Sequence, residues 1–205
     1  MKNTFKYLFI IIVSVVIIIF LSVHFYKNAV VENLTDKNKF ATEKWSELYN
    51  YSNERQKLLE TLLYSTNKDL NDTLEDALHT NKEKHKLYKE NCSIQFVKLQ
   101  YDINKEYLKI LRRYSVDSIS NQTSDYKILQ ELQELDIKYN NVIAKYNEAT
   151  LNYNKYISIF PNFYFAKSHG FFKKKYFTIK YGVKNNDPIV KSKELPAWAK
   201  DQDTL

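Results

Sequence analysis

Asp76 and His79 stand three apart, the acid-x-x-His spacing with which carboxylate-bridged di-metal bundles hold their ions. Such a centre needs two of these motifs and two further inward carboxylates, and the chain carries one motif. His85 follows six residues after His79, on a different helical face, so both are expected on a solvated polar surface. Cys92 is the only cysteine, which excludes a disulfide within the chain and a thiolate metal cluster. No histidine lies close to it in sequence, and it falls on an apolar stripe, so a packed thiol is expected rather than a nucleophile. Neither HExxH, G-x-S-x-G nor G-x-x-x-x-G-K-[ST] occurs. The residues therefore point to a protein that is not an enzyme and uses no metal or cofactor.

Two polar features remain. Arg55 falls on the stripe Trp45, Leu48, Ser52, Arg55, Leu59, Leu62, which turns it inward, where a guanidinium needs a carboxylate or carbonyl partner. With an antiparallel last helix and residues 27 and 160 level, equal rise places Arg55 opposite residue 132, near Glu131 and Glu134. The second feature is Phe163 to Tyr181, which holds eight aromatic residues and five lysines in 19 positions with no acid. Beside a bilayer, Lys173, Lys174 and Lys175 would each gain roughly 1 kcal/mol from anionic headgroups. Phe171, Phe172, Tyr176 and Phe177 would then be interfacial rings. The plainer expectation for the same segment is a cap on the helical domain with a solvated basic turn.

The elements that must position these residues follow from composition. Among 205 residues there are two Gly and three Pro, all at or beyond Pro161. Parallel α/β folds need glycine at their turns and phosphate loops, and β-sandwiches need turn residues every 8 to 12 positions, so both are excluded. The net charge of +7 is concentrated at the ends. Residues 27 to 166 carry 20 basic and 20 acidic side chains, residues 167 to 205 carry 9 and 4, and Lys2 and Lys6 supply the rest. A nucleic-acid binder would show a basic stripe through its folded domain, so no nucleic-acid partner is expected.

Tyr7 to Tyr26 contains no formally charged residue and only Ser14, Ser22 and His24 as polar interruptions. Twenty helical residues reach about 30 Å, the thickness of a hydrocarbon core, which predicts a transmembrane anchor. A cleaved signal peptide would need small residues at −3 and −1, and neither Phe20 with Ser22 nor Lys27 with Ala29 supplies such a pair. Lys2 and Lys6 on one side nearly balance Lys27, Lys37 and Lys39 on the other, so charge does not fix which side carries the remainder.

From Lys27 to Phe160 there is no Gly or Pro. Ile128, Leu132, Leu135, Tyr139, Val142, Tyr146, Ala149, Tyr153, Tyr156 and Phe160 alternate steps of four and three, a helix with an aromatic core stripe. Pro161 is expected to stop it. Cys92, Phe96, Leu99, Ile103, Tyr107, Ile110 and Tyr114 repeat the pattern, and the polar run Ser115 to Ser124 reads as a loop. The first soluble helix should end near Ser65-Thr66-Asn67. The segment between could be one helix, or two divided at His79 to Lys86 or at Asn91-Cys92-Ser93. Spacing alone allows three long helices or four.

Trp45-Ser46-Glu47-Leu48, Arg55, Leu58-Leu59 and Leu62 resemble the first soluble helix of the LemA family of bacterial membrane proteins. Tyr146-Asn147 and Tyr153-Asn154, seven apart, followed by Phe160-Pro161, Gly170-Phe171 and Tyr176-Phe177, resemble its C-terminal pattern. The chain departs from that pattern at Glu60-Thr61, where the family usually has Pro-Asn, and at Ser115 and Lys175, where it often has Pro. The resemblance implies a fully α-helical protein: an anchor over residues 1–26, an up-and-down antiparallel four-helix bundle over 27–160, and an aromatic and basic segment with a tail over 161–205. It also implies a single-pass protein of the cell envelope with no established catalytic activity. The expected partners are the bilayer, anionic lipid headgroups, and another protein or a second copy of the chain.

Overall fold

The computed structural model describes residues 2–65, 72–116 and 124–190. Every regular element among them is helical. α1 (Lys2–Ser65) is one unbroken helix of 64 residues, about 96 Å long at 1.5 Å per residue. Phe5 to Tyr26 are exposed all round, and this part of α1 is long and apolar enough to cross a membrane. Burial begins at Val30 and Leu34 and, after an interval of seven, recurs every three or four residues through Ala41, Trp45, Leu48, Ser52, Arg55, Leu59 and Leu62. The same helix thus changes from an apolar cylinder to an amphipathic one without a break, because no Gly or Pro interrupts it.

α2 (Asp72–Lys84) has Asp72 and Glu75 in its first turn and Lys82 and Lys84 in its last, charges that complement the helix dipole. A 3-10 turn at His85–Tyr88 follows. α3 (Ile94–Val116) starts where the Ser93 hydroxyl accepts the Phe96 N–H at 3.1 Å, an N-cap bond. The middle segment is therefore divided, between Lys84 and Ile94. The polar run Ser115 to Ser124 falls mostly on residues outside the described ones, as does the end of the first soluble helix beyond Ser65.

α4 (Ser124–Ser158) stops three residues before Pro161, and α5 (Asn162–Ser168) begins immediately after that proline. α4 runs antiparallel to α1, as the pairs Tyr26 with Asn162, Trp45 with Tyr146, Tyr51 with Tyr139 and Arg55 with Asp136 show. α2 runs back along α1 and α3, with Asn81 bonded to Gln56 on one side and to Gln100 on the other.

The core forms three layers along this axis. Leu59, Leu62, Leu74, Tyr107 and Leu132 fill the far end, Trp45, Phe96, Tyr139, Tyr146 and Phe177 the middle, and Val30, Leu34, Tyr153 and Ile157 the end nearest the apolar run. The expected aromatic stripe of α4 is core at Tyr139, Tyr146 and Tyr153, but Phe160, which the same spacing placed on it, lies past the end of the helix and is exposed, because the chain turns before Pro161. In the middle layer the Trp45 indole stands edge-on to Phe96, and its N–H donates to the Tyr88 and Lys89 carbonyls at 3.0 Å each. One side chain of α1 thereby satisfies the backbone of the 3-10 turn while filling the core.

Beyond α5 the chain turns at Gly170, whose φ of 73° lies in the left-handed region where a side chain is disfavoured. It then runs extended along α4, from the end near the apolar run towards Arg55, with Phe177, Ile179 and Tyr181 buried.

Candidate functional site

Three asparagines of α4 hold that extended segment. The Asn154 side chain donates to the Lys174 carbonyl at 2.8 Å and accepts the Lys174 N–H at 2.9 Å. Asn147 does the same with Phe177, at 2.8 and 2.9 Å, and Asn140 with Tyr181, at 3.1 and 2.9 Å. A carboxamide carries one acceptor and one donor, so each asparagine matches one residue's backbone pair, as a neighbouring strand would. The spacing is dictated by geometry: seven helical residues rise about 10.5 Å, and three to four extended residues cover about 10 to 13 Å. The Tyr146 hydroxyl adds a 2.7 Å bond to the Lys175 carbonyl. In each Tyr-Asn pair the ring enters the core and the amide grips the segment.

This ladder fixes the lysines. Lys174 is half-buried, its ammonium 3.1 Å from the Thr42 hydroxyl and over the Tyr153 ring, and burial pushes its pKa down. Lys173 and Lys175 are half-buried beside it, and all three line a cleft of about 360 Å³ in which Glu90 is the one acid. Measured along α1, Thr42 lies 16 residues beyond Tyr26, about 24 Å. That is some three screening lengths at physiological salt. Phe177 is 1 % exposed and belongs to the middle core layer, which corrects its expected role as a surface ring. Phe171 is half-buried against the lower layer; Phe172 and Tyr176 are exposed beside the lysines.

Arg55 is 1 % exposed and, as expected, faces inward. Its partner is not Glu131 or Glu134, which are both exposed, but Asp136, at 2.7 Å from Nε to Oδ1. The level estimate was short by four residues, about one turn of α4. Facing decides the partner: Asp136 follows Leu132 by four and precedes Tyr139 by three, so it lies on the buried stripe. The guanidinium also reaches Asn104 Oδ1 at 3.5 Å and lies between the Tyr181 and Tyr107 rings, 4.3 and 4.9 Å from their centres. Burial pushes the Asp136 carboxyl upward, partly offset by Arg55. For Arg55 burial is the largest single effect and works against the charge, but Asp136, with Tyr181 and Tyr107, together outweigh it and hold the guanidinium above its ordinary value.

From Tyr181 a chain of amides crosses the core. The Tyr181 hydroxyl donates to Gln100 at 2.9 Å, Gln100 donates to Asn81 at 3.1 Å, and Asn81 donates to Gln56. All four members are buried, and they join α1, α2, α3 and the C-terminal segment at one level. The arrangement fixes register; no member is an activated nucleophile.

His85 is not on a solvated surface: it is 6 % exposed, with its ring 4.0 Å from Tyr49 and Nε2 3.4 Å from the Ser52 hydroxyl. Burial lowers its pKa to about 4. His79 is exposed, 3.9 Å from Glu83, and no group of three or more His, Cys, Asp or Glu gathers among the described residues. Cys92 is buried, and burial pushes its thiol up to about 12.

A different patch is bare. Phe160, Phe163 and Tyr164 are 74, 41 and 60 % exposed and touch one another, with Phe163 and Tyr164 3.9 Å apart. They sit beside Tyr26, which donates to Asn162 at 3.1 Å and lies 6.1 Å from Phe165.

Compared with protein families, with curated proteins and with solved structures, the chain matches none.

Proposed function

We propose that this is a single-pass protein of the cell envelope in which α1 anchors a LemA-like, up-and-down four-helix bundle, and that the bundle is a scaffold or interaction module without catalysis. The observation that carries the reading is the join within α1. An apolar cylinder with every side chain exposed from Phe5 to Tyr26 continues, without a break, into a helix whose inward face is buried from Val30 onward. In water the first part would leave a large apolar surface uncovered, far beyond the few hundred Å² usual for a soluble monomer. The pairwise helix directions support the bundle, and the resemblance gains physical content: in Tyr146-Asn147 and Tyr153-Asn154 the ring packs and the amide holds the returning chain.

The absence of an enzyme role is supported by the state of the buried ionisable groups. Arg55 is paired, and burial keeps His85 and Cys92 in their neutral forms at physiological pH. The anchor is tested by fractionation. Full-length protein should stay in the membrane pellet through carbonate and high-salt washes, and release by either would refute it. Crosslinking in cells with identification of the captured species tests the interaction role, which predicts a discrete partner or a second copy.

A further inference from the structure

We infer that Phe160, Phe163 and Tyr164 form an aromatic foot that lies in the headgroup region of the bilayer spanned by α1, so that the protein meets its membrane at two places. The inference rests on the anchor proposed above. Its partner is lipid of that same bilayer, because the patch lies at the level of the last residue of the apolar run, Tyr26, rather than elsewhere on the domain.

The placement follows from the turn after α4. α4 ends at Ser158, and α5 is held against α1 at the last residue of the apolar run by the Tyr26 to Asn162 bond and by the tilted contact of the Tyr26 and Phe165 rings. Asn162 and Ala166 are the buried members of α5, whereas Phe163 and Tyr164 point away from the core. Phe160, on the turn, joins them, and Ile159 beside it is also exposed. The three rings touch each other and remain 41 to 74 % exposed among the described residues. On α1 the same level carries exposed Phe25 and Tyr26, followed by Lys27 and, on α5, exposed Lys167.

Rings at the hydrocarbon boundary with lysines just beyond it are the composition of an interfacial belt. An aromatic ring there buries its face among acyl chains and leaves its edge, or a tyrosine hydroxyl, with the headgroups. The expected basic contact through Lys173, Lys174 and Lys175 is thus replaced by an aromatic one some 24 Å closer to the membrane, by the rise of α1 from Tyr26 to Thr42.

Nitroxide labels on single introduced cysteines of the full chain in lipid vesicles test this, since Cys92 is buried and its thiol is held protonated. Three positions are compared: Phe20→Cys within the span, Tyr164→Cys in the foot, and Ile137→Cys, an exposed site on α4 close to the level of Arg55. Collisions with dissolved oxygen should dominate at positions 20 and 164, and collisions with a water-soluble nickel chelate at 137. If 164 behaves like 137 while 20 remains oxygen-dominated, the foot is overturned and the anchor stands. If position 20 is itself open to the chelate, the anchor fails and the foot with it.

Discussion

Replacing Asn147 by Ala tests whether the C-terminal segment belongs to the folded unit. The substitution removes a 2.8 Å and a 2.9 Å bond to the two backbone groups of Phe177, a residue 1 % exposed. A typical internal hydrogen bond contributes about 0.5 to 1.5 kcal/mol net, so two give about 1 to 3 kcal/mol, with the upper end favoured because burial hinders water from replacing the amide. In a chain of this length each kcal/mol moves the midpoint by about 2 to 4 °C, so a fall of roughly 5 to 10 °C is expected. Asn154→Ala should cost less, because its partner Lys174 is only half-buried and water can serve it. Asn141→Ala, at an exposed position on the same helix, should stay within about 0.5 kcal/mol of the parent. The assay is thermal unfolding of the full chain in micelles, followed by circular dichroism, with amide exchange at Phe177 as a local readout. Asn147→Asp separates the two bonds, since a carboxylate accepts the Phe177 N–H but offers no donor to the carbonyl. If Asn147→Ala and Asn141→Ala unfold alike, with unchanged exchange at Phe177, the reasoning is wrong.

Arg55→Met should destabilise by about 3 to 5 kcal/mol, because it strands the buried Asp136 carboxylate, and adding Asp136→Leu should recover most of that loss; denaturation of the four members of the cycle decides it. His85 gives a pH signature. Its folded pKa of about 4 lies below an unfolded value near 6.5, so the unfolded chain takes up the proton first, and stability falls as pH drops from about 6.5 to 4. The full shift corresponds to about 3 kcal/mol, and a Phe at this site should flatten that part of the pH profile, as read by midpoints at several pH values. An unchanged slope in the variant would assign the acid sensitivity to other groups.

Periodicity exposed the α4 stripe, the inward Arg55 and the packed Cys92, because each depends only on which face of a helix a residue occupies. The partner of Arg55 was missed through counting levels without asking which carboxylate faced inward; Asp136 satisfied both spacings to Leu132 and Tyr139. His85 was misplaced because it was judged as part of a continuous helix, whereas the chain changes there to a 3-10 turn that aims the ring at Tyr49. The segment after Gly170 was read for its charge and aromatic content, which does not reveal a backbone held by side chains from another element. The signal was present: Tyr139-Asn140 precedes Tyr146-Asn147 and Tyr153-Asn154 at the same interval of seven, and a helical core has no use for three regularly spaced carboxamides unless something pairs with them.

The unbroken course of α1 also makes it a lever. From Tyr26 to Ser65 it extends 39 residues, about 58 Å, and nothing in its sequence provides a hinge. With α1 anchored as proposed, a change in bilayer thickness that tilts it by 10° would sweep the far end sideways by about 10 Å. The far layer around Leu62 and Leu132 would then report on the membrane mechanically, at a distance no lipid reaches.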